Sequence, residues 1–145
     1  IDLGYVGDPE RVNGEVLIQL AKTGVVPVIA PIGFDDEGAT YNINADTAAG
    51  AVAAAVKAKR LLMLTDVAGV LDANGNRLED ISADLARSMI KDGVIKGGMI
   101  PKIETCLDAV QDGVEASVIL DGRVPHAILL EIFTERGDGT IIRPA

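Results

Sequence analysis

Three short stretches carry the side chains from which chemistry can be built: YNINAD at 41–46, TDVAGVL at 65–71 and KGGMIPK at 96–102. The third is the most informative. Lys96, Gly97 and Gly98 stand just before a segment of helical periodicity, and Lys102 falls in its first turn. A cation there opposes the positive end of the helix dipole, at a cost of about 0.3–1 kcal/mol. The cost disappears when an anion lies between lysine and helix terminus, and paired glycines let backbone N–H groups approach that anion. The stretch reads as a phosphate site, though not of the Walker kind, since G-x-x-x-x-G-K-[ST] does not occur.

In YNINAD, Asn44 suits a helix cap and Asp46, one turn in, suits the helix dipole. One cap is enough, so Asn42 is left over. Its amide offers a donor and an acceptor, which fits a ligand carrying amide and carboxylate groups. If Lys102 touches a phosphate, a nearby carboxylate such as Asp46 can hold and orient that lysine without acting as a base. The plain alternative is that Asp46 only complements the dipole. In TDVAGVL, Thr65 and Asp66 put a hydroxyl and a carboxylate at a strand's end, before small and apolar residues that can line a nucleotide slot. An ordinary loop is the competing reading.

These stretches need a frame. With 48% apolar residues and a mean hydropathy of +0.29, the 145-residue chain can bury a core and is not disordered. Aromatics make up only 3%, so Ala, Val, Ile and Leu must build that core, as in packed parallel strands. Asn13 can cap a helix over 15–22 that stops at Gly24. Residues 25–30, VVPVIA, read as a buried strand, with Pro27 arguing against a central position. FDDEGAT at 34–40 reads as a hairpin tip between two short strands. A helix over 45–57 and a strand over 60–65 follow, then a loop with an Asn74-Gly75 turn. Ser82 can cap a helix running to Lys91, with Gly93 ending it. Ile103, Cys106, Leu107 and Val110 share one face of the next helix, which ends at Gly113. A strand over 116–120 leads to a helix with Pro125 early in it, reaching about Glu135. Gly137, Asp138 and Gly139 then turn into a closing strand over 140–143. The alternation predicts one α/β domain over 1–145, a three-layer αβα sandwich with a mainly parallel sheet. Ligands of such sheets sit beyond the carboxyl ends of the strands, where loops enter helices.

Several chemistries are excluded. No apolar run approaches the ~20 residues of a membrane span. A net charge of -9 opposes nucleic-acid or anionic-membrane binding over the whole surface, while leaving room for a local basic pocket. One His and one Cys, far apart, make no zinc cluster, and no protein metal site is assigned. No G-x-S-x-G elbow occurs. Cys106 cannot form an intrachain disulfide and fits a reducing, cytoplasmic setting as a small helix residue. The chain opens on IDLGYVGDPE without a methionine, which reads as the continuation of a longer protein.

YNINADTAAGAVA, LLMLTDVAGVL, GVIKGGMIPKIE and DGRVPHAILLEIFTERGDGT together resemble the carboxyl-terminal half of the N-acetylglutamate kinases, within the amino acid kinase family. The resemblance covers essentially the whole chain in order. It implies transfer of the γ-phosphoryl group of ATP to the side-chain carboxylate of N-acetyl-L-glutamate, in arginine biosynthesis. This half would bind ATP and Mg²⁺. By motif, Lys102 resembles the lysine that stabilises the transferring phosphoryl group, Asp46 the aspartate that organises the catalytic lysines, and Asn42 the asparagine that holds the amino-acid substrate. Thr65, Asp66, Val67, Ala68, Gly69, Val70 and Leu71 resemble one nucleotide loop; Val94, Ile95 and Lys96 resemble another, which Gly97, Gly98 and Met99 continue.

The ending resembles arginine-inhibited members, which makes His126, Glu131, Gly137 and Gly139 candidate feedback residues. An ordinary helix and turn, with His126 a surface residue, is the alternative. The family's first half, with its glycine-rich lysine motif and most of the substrate pocket, is not located here. An excised or incomplete piece is therefore expected, one that binds ATP without phosphorylating acetylglutamate. The resemblance also implies a homo-oligomer at full length and, by analogy with photosynthetic relatives, a nitrogen-signalling regulatory protein as partner. Two other readings stay open: another kinase of this fold acting on carbamate, aspartate or a nucleotide, and a non-catalytic nucleotide-binding or interaction module. The NINAD asparagine and the arginine-type ending argue against the former.

Overall fold

The computed structural model describes residues 4–134 and 137–144. Capping residues set the first three helices. Asn13, Asn44 and Ser82 accept backbone N–H bonds at the starts of α1 (Gly14–Lys22), α2 (Ala45–Ala55) and α3 (Ala83–Lys91), satisfying donors that a helix start leaves unpaired. Two further helices, α4 (Met99–Gln111) and α5 (Ala127–Phe133), begin without a side-chain cap.

The strands are β1 (Ile32–Phe34), β2 (Thr40–Asn42), β3 (Arg60–Thr65), β4 (Asp80–Ser82), β5 (Ala116–Asp121) and β6 (Thr140–Arg143). β1 and β2 form the antiparallel hairpin around FDDEGAT. The other four make one sheet in the order β3-β5-β6-β4. β3 runs parallel to β5, from Arg60 beside Ala116 to Thr65 beside Asp121, and β4 runs parallel to β6. A single antiparallel pairing, β5 with β6, joins the two pairs, so the sheet is mainly parallel.

Alternation along the strands sorts the layers. Leu61, Met63, Ile119 and Ile142 pack into the core with α2, α3 and α4. Val118 and Leu120 have the opposite parity, as does Arg60, which reaches Glu131 of α5. Helices therefore cover both faces, and the first five residues of β5 are all buried. That double burial is why the strand reads as the near-continuous apolar run ASVIL. Small residues set the distance between α2 and α4: a Cβ on Gly50 would stand only 2.7 Å from Thr105 Cγ2.

Residues 25–30 depart from the expected buried strand. They form no strand, and Val26 and Val28 are 84% and 96% exposed. Pro27 has no N–H to give a ladder, and no described strand runs alongside this segment. Apolar β-branched composition records a preference for a pleated, half-buried setting but does not supply one. Pro125 also lies before α5 and not inside it. His126, at φ 63°, holds the left-handed conformation that delays the helix to Ala127. α5 ends at Phe133, and Glu135, the expected end, lies outside the described residues. α2 stops at Ala55, two residues before the expected end. Lys57 there takes φ 48°, and its ammonium donates to the Asp112 carbonyl at 2.6 Å.

Candidate functional site

α2 leads into β3 and α4 leads into β5, so both helices run back against a parallel strand pair. Their amino termini consequently lie at the carboxyl ends of those strands. Two side chains meet there: Lys102 Nζ stands 2.7 Å from Asp46 Oδ2, with side chains 25% and 29% exposed. Asp46 complements the dipole of its own helix and offsets the unfavourable placement of Lys102 in the first turn of α4. The close approach at Gly50 and Thr105, one turn further along each helix, makes this reach short. Pro101 is the third residue of α4, where a missing N–H costs nothing because no helical acceptor exists for it.

The turn before α4 divides its residues. Ile95 is buried, Val94 and Met99 pack against the core, and Lys96, Gly97 and Gly98 face solvent. Gly97 has φ 58°, a conformation that favours glycine. Gly98 has φ -66°, open to any residue, and a Cβ there would meet no atom within 4 Å. Among the described residues, the N–H groups of Gly97 and Gly98 donate to no backbone acceptor. The turn thus presents unpaired donors and open space beside an ammonium, the elements of an anion site.

The 65–71 loop leaves the end of β3 on the same side. Thr65 Oγ1 donates to Asp66 Oδ1 at 3.2 Å, and Asp66 and Ala68 are exposed. Val67 is half-buried, Gly69 takes φ 136° and Val70 is buried. Leu71 is 45% exposed and bridges to Arg77. Asn42 ends β2 with its side chain exposed. Its backbone is fixed by Asn42 N–H donating to Tyr5 O at 2.8 Å and Gly7 N–H donating to Asn42 O at 3.1 Å. Ile43 is buried behind it, so the side chain is presented from a fixed strand end, two residues before the Asn44 cap.

Two groups missed in the sequence border this site. Asp121, at the end of β5, accepts Arg123 Nε at 2.9 Å and Arg123 Nη2 at 2.8 Å in a fork, and also the Arg123 N–H at 2.9 Å. The guanidinium bonds, and then the backbone N–H, hold the Asp121 carboxyl down at about 2. Arg123 is raised above the ordinary arginine value by the same pairing, with Asp66 adding to it. D-G-R immediately after a strand was the available signal. The second is Thr140, fully buried, whose hydroxyl accepts the Val70 N–H at 2.8 Å. No sequence signal marks it.

The candidate feedback residues gather elsewhere, around α5. Glu131 is 8% exposed; Arg60 Nη1 lies 3.6 Å from its Oε1, and the Asp138 N–H donates to its Oε2 at 3.2 Å. Gly137 lies directly against the Glu131 carboxylate, and a Cβ on Gly139 would run into the Ile119 carbonyl and the Leu120 side chain. The structure therefore joins Glu131 and Gly137, while Gly139 packs on β5. His126 stands apart at the start of α5, exposed and making no capping bond. Cys106 is buried in α4, and burial pushes its thiol up to about 12, which keeps it protonated and unreactive.

The amino acid kinase family model matches residues 1–121. The chain belongs to that family. It is 63% identical over 143 residues to an acetylglutamate kinase of Gluconobacter oxydans, covering 99% of this chain and 48% of that protein. It is 65% identical over 142 residues to an acetylglutamate kinase of Rhodospirillum centenum, covering 98% and 47%. The chain thus spans about half the length of the curated relatives it matches. Its fold is similar to part of an N-acetylglutamate synthase from Neisseria gonorrhoeae, solved with coenzyme A and L-arginine. That likeness has a TM-score of 0.90 at 28% identity, over 99% of this chain and 33% of the other. Among the described residues of this amino acid kinase chain, no helix is long and apolar enough to cross a membrane.

Proposed function

We propose that this chain is the nucleotide-binding half of an acetylglutamate kinase, transferring the γ-phosphoryl group of ATP to the side-chain carboxylate of N-acetyl-L-glutamate. The observation that carries the reading is the Lys102–Asp46 pair at the joint amino termini of α2 and α4, beside the open Gly97–Gly98 turn. The identity to proteins named acetylglutamate kinase supports the choice of acceptor.

In the reaction an acceptor carboxylate oxygen bonds to the γ-phosphorus while the bond to the β,γ-bridging oxygen breaks, and ADP leaves with that electron pair. Negative charge spreads over the phosphoryl oxygens, and catalysis consists of placing positive charge and donors around it. Lys102 supplies the charge, Asp46 keeps its ammonium in place, and the Gly97 and Gly98 N–H groups supply donors. Asn42 holds the acceptor through its amide and carboxylate. Thr65 to Leu71 and Val94 to Met99 line the nucleotide. Mg²⁺, when it accompanies the nucleotide, would supply further charge neutralisation. Among the described residues no group of three His, Cys, Asp or Glu side chains is placed to hold a metal ion; a magnesium carried mainly by substrate phosphates fits that donor set.

The enzyme would act in the cytoplasm on ATP and N-acetyl-L-glutamate, as a homo-oligomer at full length, with a nitrogen-signalling protein as a further partner. Arginine feedback at Glu131 is a second reading, favoured by two observations. This buried carboxylate already faces a guanidinium, that of Arg60, and a related synthase was solved with L-arginine. In the full-length protein, Asn42→Ala should raise the KM for N-acetylglutamate, and Asp46→Ala should lower kcat. If both variants merely melt at lower temperature with normal kinetics, the two residues are only a strand end and a dipole complement.

A further inference from the structure

The 65–71 loop is long, polar at its start and partly exposed, yet its far end is fixed. Val70 is buried, and its N–H donates to Thr140 Oγ1 at 2.8 Å. The same hydroxyl donates to the Leu78 carbonyl at 2.5 Å, and the Leu78 N–H returns to the Val70 carbonyl at 2.9 Å. Thr140 is fully buried, so these bonds form away from water. Gly69 lies directly against this hydroxyl. A Cβ there would collide with Thr140 Oγ1 and stand 3.3 Å from Arg77 Cδ, and its φ of 136° is strained for any other residue. One turn of chain away, Arg77 pairs with Asp138 at 3.3 Å, tying the same return segment to the residues just before β6.

We propose that Thr140 is a positioning residue for the nucleotide, because its hydroxyl fixes where the loop from Thr65 to Leu71 lies above the sheet. The inference rests on reading that loop as nucleotide-binding. A loop hung on β3 alone would have its first residues placed and its last ones free. The Thr140 bonds close it at the other end, onto β6 in the same sheet. The hydroxyl is the needed group: it accepts from one strand of the small return and donates to the other, which neither a valine nor an alanine can do.

The test compares Thr140→Val and Thr140→Ser in the full-length protein, with Asp66→Ala as a marker of the loop itself. Thr140→Val keeps shape and removes the hydroxyl. It should raise the KM for ATP roughly fivefold to tenfold while the KM for N-acetylglutamate stays within about twofold. Thr140→Ser should recover most of the ATP affinity. If Thr140→Val shifts neither KM, or both alike, the positioning role is wrong. Should that variant fail to fold, Gly69→Ala takes its place, since its methyl would push the loop off the hydroxyl. A selective rise in the KM for ATP then supports the role, and an unchanged KM overturns it. Asp66→Ala separates the two readings. If it raises the KM for ATP while Thr140→Val does not, only the positioning role fails; if neither does, the loop is not the nucleotide site and both readings fall.

Discussion

At the carboxyl end of the sheet, Gly98 has an ordinary φ of -66°, and a Cβ there would meet no atom within 4 Å. On the α5 face, Gly139 likewise avoids the left-handed region, yet a Cβ there would run into the Ile119 carbonyl and the Leu120 side chain. Neither glycine is required by its backbone conformation. Gly139 is required by packing, because the final turn lies directly on β5. Gly98 is required by nothing inside the described fold, and it faces open space. The same residue type thus marks a closed contact in one region and open space in the other. The α5 cluster is assembled tightly enough to stand as structure by itself. The Lys102 end is left unfinished by its own packing.

The sharpest break of this comparison is at Lys102. In the full-length protein Lys102→Ala should lower kcat by roughly 10²–10³, about 3–4 kcal/mol in the barrier, with a smaller change in the KM for ATP. Steady-state kinetics with both substrates varied would show it, and a wild-type kcat would remove Lys102 from the mechanism. Gly139→Ala comes next. It should destabilise by about 1–3 kcal/mol through overpacking against Ile119 and Leu120, read as a lower urea midpoint at unchanged m.

Gly98→Ala is the matched control at the other site. Its stability should change by less than about 1 kcal/mol, since Cβ meets nothing and φ is suitable, while calorimetric titration should show weaker ATP binding. Equal stability losses at Gly98 and Gly139 would dissolve the contrast. The smallest effect concerns the Asp121–Arg123 fork beside the first site. Asp121 titrates at about 2 in the folded chain, below the ~3.9 of an unfolded aspartate. It therefore contributes stability above the unfolded value and loses it as pH falls from ~4 through about 2. Solvent screening keeps the contribution small. Unfolding of wild type and Asp121→Asn at stepped pH should show a gap that closes across that window.

Local features were legible along the chain. Asn13, Asn44 and Ser82 announced three helix starts because a cap acts within three residues, and Ile103, Cys106, Leu107 and Val110 announced a buried helical face because periodicity is local. The runs RLLMLT and ASVIL were legible as strands because both lie in a sheet covered by helices. VVPVIA carried the same composition and formed no strand, since a strand exists only when a neighbour accepts its ladder. Three-residue β4 was invisible for the converse reason: its pairing comes from β6, some sixty residues away. Within the candidate site, the residue types of Asn42, Asp46, Thr65, Asp66 and Lys102 were readable, and Lys102 next to a helix dipole asked for a negative partner. That Asp46 stands 2.7 Å away was decided by the packing of α2 on α4 at Gly50. The partners of Thr140 and Arg60 were decided by tertiary structure as well. Val70 and Glu131 lie 70 and 71 positions away along the chain, and no pattern along the chain records which elements lie side by side.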